Sequence, residues 1–201
     1  MYQEIIENEP DNTEIVKKFD AKIGAALKRM EHLILSMLKI TRLDTGNISF
    51  EKTVCPVKEM VENAVNQLTT RAMNENKQII ISGDSDETIF CDMDWTSEAV
   101  GNLVKNALDH TQLGGIIRIT WENTPLMQRI FVSDNGSGIA PEDIHHIFKR
   151  FYRSRRSLDT PGIGLGLPLT KSIIEGQGGV ISVKSDLHRG TTFTVSFLTK
   201  L

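Results

Sequence analysis

Two asparagines, Asn102 and Asn106, lie four residues apart in the string Asn102-Leu103-Val104-Lys105-Asn106-Ala107. On a helix this spacing puts both amides on one face, with Leu103 and Ala107 beside it turned toward a core. Neutral amide oxygens suit a Mg²⁺ ion that takes its other ligands from phosphate and water. Further on, the apolar run Ile130-Phe131-Val132 leads into Asp134-Asn135-Gly136-Ser137-Gly138-Ile139. One carboxylate at a strand end can accept from a purine amino group, and glycine lets the backbone turn through positive φ and approach a flat ring. A third string, Ile147-Phe148-Lys149-Arg150-Phe151-Tyr152-Arg153, interleaves aromatics with cations. The fourth, Gly162-Ile163-Gly164-Leu165-Gly166-Leu167, runs a glycine loop straight into a helix. A helix start preceded by free N–H groups binds phosphate.

Each string alone has a plainer reading. Paired asparagines usually mark a solvated helix face, an Asp-Gly pair a turn, and Phe148 with Phe151 core packing. A lone Gly-x-Gly-x-Gly is weak. The four together, in this order, point to a nucleotide site. The glycine loop does not follow a strand, so it fails the dinucleotide-binding context, and the chain has no Gly-Lys-Ser/Thr of a P-loop.

The elements that must hold these strings follow from periodicity and punctuation. Met1–Glu9 reads as a short amphipathic helix broken at Pro10. A long helix follows, capped by Asp11, Asn12 or Thr13. Its stripe of Ile15, Phe19, Ile23, Ala26, Leu27, Met30, Leu33, Ile34, Met37, Leu38 and Thr41 spans about four heptads. It stops at Asp44-Thr45-Gly46. So narrow a strip asks for another helix, in the same chain or a second copy. After an extended piece, Asn47–Val54, a helix opens at Pro56 and runs to about Asn74. Strands are expected at Gln78–Ser82 and Thr88–Cys91, then a helix from Trp95 to His110 capped by Asp94. A hairpin of Ile116–Glu122 and Gln128–Ser133 comes next, then helix Pro141–Phe151, a polar loop Ser154–Gly164 and helix Leu165–Gly176. Strands Gly179–Ser185 and Thr191–Thr199 close the chain. This order predicts an α+β fold, a two-layer α/β sandwich of mixed sheet with its helices on one face, preceded by a long α-helix.

Composition narrows the classes. The 201 residues carry 23 Lys+Arg against 26 Asp+Glu, a net charge of −3. That gives no field to hold nucleic acid or an anionic membrane. Cys55 and Cys91 form no metal-spaced pair and read as reduced residues of a cytosolic protein. No apolar window has bilayer length, and no signal peptide is visible. The expectation is a soluble, cytoplasmic piece of a larger protein.

The four strings resemble, in order, the N box (NLVKNA), G1 box (DNGSGI), F box (IFKRFYR) and G2 box (GIGLGL) of sensor histidine kinases. Gly190-Thr191-Thr192-Phe193-Thr194-Val195 is similar to their closing strand motif. The resemblance covers 54–201 and implies the Bergerat ATP-binding fold, shared with gyrase-type ATPases. The string MEHLILSMLKITRLDTG resembles the second helix of the dimerisation and histidine-phosphotransfer hairpin, so 1–46 is expected to be part of that hairpin. By resemblance, Asn106 binds Mg²⁺, Asn102 lines the phosphate site and Asp134 reads the adenine amino group, with Gly138 admitting the ring. Gly162, Gly164 and Gly166 hinge a lid over the triphosphate. Gly136, Ile139, Phe148, Leu165, Leu167 and Thr192 complete the ATP pocket, Lys149, Arg150 and Arg153 are the candidates among which its phosphate cation lies, and His110 takes a ring-stacking role. Two departures stand out. The family often has Lys where this chain has Asp109. No His-Glu/Asp-x-Arg/Lys-x-Pro string occurs, and His32, His110, His145, His146 and His188 lack those neighbours.

The resemblance therefore implies a kinase that transfers the γ-phosphate of Mg-ATP to a histidine on a hairpin helix, for relay to the Asp of a response regulator. The intact protein would be a membrane-anchored homodimer with this part in the cytoplasm, and the chain itself would not autophosphorylate. The related ATPases have a water-activating Glu where Asn102 stands, and Asn is no general base. The rivals are a serine-directed kinase of the anti-sigma type, which should lack the long helix, a gyrase-like ATPase, and a nucleotide-sensing module without catalysis.

Overall fold

The computed structural model describes residues 13–154 and 162–199, the Ile15 side chain excepted. The expected helix at Met1–Glu9 and most of the Ser154–Gly164 loop lie outside the described residues. The chain divides into two units, Met1–Lys39 and Ile40–Leu201. The boundary falls within helix α1, Thr13–Asp44. In the first unit, Leu27, Met30, Ile34, Leu35, Met37 and Leu38 are all exposed. No helix among the described residues is long and apolar enough to cross a membrane.

The second unit holds β1 (Thr53–Pro56), α2 (Val57–Asn74), β2 (Gln78–Ser82), β3 (Thr88–Cys91), α3 (Met93–His110), β4 (Ile116–Asn123) and β5 (Met127–Asp134). These are followed by α4 (Pro141–Ile144), α5 (Gly166–Gly176), β6 (Val180–Asp186) and β7 (Gly190–Leu198). Strands order as β2-β4-β5-β7-β6, and β1 pairs with β3 in a separate ladder. Only the β2–β4 pair of the large sheet is parallel; β4–β5, β5–β7 and β6–β7 are antiparallel. Alternation sends Ile117, Ile119, Ile130, Val132, Phe193, Val195 and Phe197 to one buried face. Against it pack helices whose buried residues recur every three or four positions: Val57, Met60, Val61 and Val65 on α2, Ala99, Leu103 and Ala107 on α3, Leu169, Ile173 and Ile174 on α5. The expected two-layer mixed sheet is what forms.

One side chain ties the helix layer to the connector before it. Gln177, just past α5, is buried. Its Oε1 accepts from the Asp92 N–H at 2.7 Å and its amide donates to Thr96 Oγ1 at 3.1 Å. Lys52 Nζ donates to its backbone carbonyl at 2.8 Å, and Phe50 stands edge-on to Trp95 at 6.0 Å.

Two local expectations are corrected. The cap of α3 is Asp92, which accepts from Trp95 N–H at 3.2 Å; Asp94 falls in the first turn instead. Asp92 does more than an ordinary cap, since its other oxygen accepts from Glu51 N–H at 2.9 Å. The helix expected over Pro141–Phe151 ends at Ile144 after one turn. From there the chain proceeds by turns to Phe151, whose φ is +60°. A helix cannot contain such a residue. The Phe151 N–H donates to Gly164 O at 2.9 Å, so a distant partner overrides local helix preference.

The cysteines are free and buried. Cys55 Sγ donates to Cys91 O at 3.6 Å, and burial pushes the Cys91 thiol up to about 12.

The end of β7 meets the end of β5 without room for a side chain. Gly190 has φ +100°, and a Cβ built there would lie 1.9 Å from Asp134 O. Gly190→Ala is expected to lower the unfolding free energy of this unit by about 2 kcal/mol or more, from strain and overpacking. A urea unfolding midpoint equal to wild type would contradict this.

Candidate functional site

Helix α3 is the spine of the site. Asn102, Asn106 and His110 follow at four-residue intervals on one broad face of it. At 1.5 Å rise per residue, Asn102 and His110 stand ~12 Å apart along the axis.

At the Asn102 end, the side-chain Nδ2 is buried with no hydrogen-bond partner. The Asn102 Oδ1 lies 3.9 Å from where a Cβ on Gly166 would sit, so the start of α5 faces this amide. No side chain caps α5. Its first-turn N–H groups, on Gly166 and Leu167, precede Pro168, which has none. An unpartnered amide donor beside an uncapped helix start is a cradle for an anion.

At the His110 end, the Ser137 N–H donates to His110 O at 3.1 Å. A Cβ on Gly136 would come within 2.3 Å of the same carbonyl. The Asp134–Ile139 turn is thus fastened to the end of α3. The His110 imidazole is pushed toward its neutral form by burial, with Asp109 opposing and Arg153 assisting.

Asp134 ends β5. Its Oδ1 accepts from the Gly136 N–H at 2.8 Å, and the Thr191 N–H also bonds its carboxylate. Burial nonetheless raises its pKa above the ordinary carboxylate value, against the pull of those two donors. The turn is held on its far side as well. Ile139 N–H donates to Ser185 Oγ at 2.8 Å, and Ser185 Oγ donates in turn to Gly190 O at 2.9 Å.

The other expected site residues take the following places. Register pairs Asp134 with Thr191 and Ser133 with Thr192. Alternation therefore puts Thr192 on the opposite sheet face from Asp134, where it shares a 2.9 Å hydrogen bond with Ser133 Oγ. Thr191 is the residue on the Asp134 side. Gly138 has φ +66°, and a Cβ there would meet Asp186 O at 2.1 Å. Its glycine serves backbone packing of the β5 turn against the β6–β7 turn. Phe148 packs edge-on against Phe193 at 6.4 Å with Lys171 Nζ over its ring. The Arg150 guanidinium is bound to the Asp44 carboxylate at the end of α1, and Ser172 Oγ donates to that carboxylate too. Leu165 turns its side chain into the core. Leu167 and Ile139 are half-buried and Gly162 is exposed. Asp109 pairs with Arg71 at 2.7 Å, which accounts for an acid at this position in structural terms.

Residues that periodicity does not mark are Thr191, Ser185 and the group Asp143, Tyr152 and Ser154. Thr191 is identifiable only once the β5–β7 register is known. Asp143 accepts from the Tyr152 hydroxyl and from Ser154 Oγ at 2.6 Å, contacts across nine and eleven residues that leave no sequence period.

Residues 91–201 match the family described as histidine kinase-, DNA gyrase B- and HSP90-like ATPases. Sensor protein SrrB of Staphylococcus aureus strain N315 is 32% identical over 192 residues, covering 94% of this chain and 32% of SrrB. The chain thus spans about a third of the length of that relative. Among solved structures, histidine kinase ThkA in complex with response regulator protein TrrA superposes with a TM-score of 0.78 at 22% identity, over 99% of this chain and 57% of that one. Full-length ShkA in complex with AMPPNP gives 0.75 at 22%, over 89% and 38%. Box order, fold and relatives agree, and the chain belongs to the histidine kinase-, DNA gyrase B- and HSP90-like ATPase family.

Proposed function

We propose that the 40–201 unit binds Mg-ATP along α3 and transfers the γ-phosphate to a histidine on a dimerisation hairpin, for relay to an aspartate of a response regulator. The observation that carries this reading is the unpartnered Asn102 amide facing the uncapped start of α5, ~12 Å along the helix from the turn that bears Asp134. That is the span of a purine with its phosphate chain. SrrB's description as a sensor and the AMPPNP complex of ShkA support it.

Asp134 accepts from the adenine amino group. Its geometry is fixed before binding, because Gly136 and Thr191 N–H groups already hold the carboxylate. Asn102 donates its free amide to phosphate, and the Gly166 and Leu167 N–H groups add to it. Asn106 is the residue to hold Mg²⁺, which supplies charge neutralisation for phosphoryl transfer. Among the F-box cations, Arg153 lies near His110, whereas Arg150 is engaged by Asp44. The apolar face of α1 suits a hairpin partner and a second copy of the chain. With no histidine in the acceptor context, this chain does not phosphorylate itself.

Asp134→Asn is expected to weaken Mg-ATP binding about 10- to 100-fold, the loss of a charged hydrogen bond. Affinity measured calorimetrically within threefold of wild type would remove Asp134 from the adenine role. Because burial raises the Asp134 pKa, wild-type affinity should fall on acidification while the pH is still above 3.8, the ordinary value. The linked stability effect has the opposite sense. The folded carboxyl holds its proton more tightly than the unfolded one, so its stabilising contribution is lost as pH rises through the raised value.

Mixing the chain with Mg-ATP and a separate hairpin fragment that carries an acceptor histidine should yield phosphohistidine on the fragment and none on the chain. Phosphohistidine on the chain alone would contradict the proposal, as would an unmodified fragment.

A further inference from the structure

The glycine loop that leads into α5 is held from below by a carboxylate that no box motif contains. Asp143 sits in the single turn of α4. Both its carboxylate oxygens are engaged by the end of the F box and the residue that follows it. Oδ1 takes the Tyr152 hydroxyl and Oδ2 takes Ser154 Oγ at 2.6 Å. Its backbone carbonyl accepts from His146 and Ile147 N–H at 2.8 and 3.1 Å, which keeps the carboxylate facing that segment. His146 packs its ring on Tyr152 at 5.5 Å.

Tyr152 and its neighbour are also where the glycine loop returns. The Phe151 N–H donates to Gly164 O at 2.9 Å. A Cβ on Gly164 would lie 2.6 Å from Tyr152 O, and Gly164 has φ +75°. Gly164 is therefore seated directly on the Phe151–Tyr152 backbone, and Phe151 pays for this contact with its own φ of +60°. Two residues later come Gly166 and the start of α5, facing Asn102. The order of support runs from Asp143 to Tyr152 and Ser154, to Gly164, to the N–H groups at the head of α5.

We propose that Asp143 is a positioning residue for phosphate binding: by fixing Tyr152 and Ser154 it sets where the Gly164–Leu167 N–H groups lie relative to Asn102. It touches no nucleotide and does not act at the adenine end, which is fastened independently through His110 and Gly136. Hydrogen bonds to an ionised carboxylate are the strong kind, and a small displacement of binding groups has a large effect on affinity. The inference rests on the nucleotide reading given above.

The test separates the two ends of the ligand. Affinities of the full chain for Mg-ATP and for adenosine are measured in wild type, Asp143→Ala, and the double variant Tyr152→Phe with Ser154→Ala. The expected result is a loss of about tenfold for Mg-ATP in Asp143→Ala, with adenosine binding unchanged. The double variant should show the same selective loss, and adding Asp143→Ala to it should cost little more, because all three substitutions break one linkage. Equal losses for Mg-ATP and adenosine, or no loss for either, would overturn the role of Asp143, as would additive losses in the combined variant. Should Asp143→Ala fail to fold, Tyr152→Phe and Ser154→Ala each delete one oxygen and carry the same comparison. Wild-type protein that binds no Mg-ATP would refute the nucleotide reading itself, a failure distinct from that of Asp143.

Discussion

A carboxylate drawn out of water must find fixed partners, and the form of this domain around Asp134 follows from supplying them. Its donors are backbone N–H groups of Gly136 and Thr191, one from the turn after β5 and one from the neighbouring strand β7. Both exist only if β5 and β7 pair in one register and the turn folds back tightly. The glycines 136, 138 and 190 are required because carbonyls of His110, Asp186 and Asp134 occupy the places their side chains would take. Sheet order, turn composition and the end of α3 are thereby constrained through a single acid.

The helix layer meets the complementary need. A long rigid element is what the proposed site needs to hold its two ends apart, and α3 buries Leu103, Val104, Ala107 and Leu108 completely or nearly so. Its start is fixed by Asp92, which connects to Gln177 and to the Glu51 backbone. Its end is fixed by the glycine turn. Lys77 donates to Leu108 O at 2.7 Å, satisfying one of the last carbonyls. The helix carrying the asparagines is thus anchored at both ends.

Much of this was legible in the sequence because it is local or periodic. Strands β2 and β3 were read with the bounds that the structure has, since β-branched and apolar runs ended by turn residues admit few alternatives. The helical stripes of α2, α3 and α5 were equally plain. What the sequence concealed was pairwise and distant. Asp92 and Asp94 flank the same helix start, and only the reach of Asp92 to Glu51 and Trp95 decides between them. Pro141–Phe151 has helical composition, yet the helix stops at Ile144 and Phe151 donates its N–H to Gly164 O, a partner that local composition does not reveal. Which of the adjacent Thr191 and Thr192 shares a sheet face with Asp134 is a matter of strand parity, which requires the register. Arg150 belongs to a string of cations in sequence, yet its partner Asp44 lies over a hundred residues away.

The bond between Phe151 and Gly164 brings together the two ends of everything in between. Both partners lie at positive φ, +60° for Phe151 and +75° for Gly164. The join is therefore selective for backbone conformation, and only residues that tolerate the left-handed region can keep it. The seat of Gly164, two residues before the head of α5, is set by main-chain geometry rather than by the chemistry of a side chain.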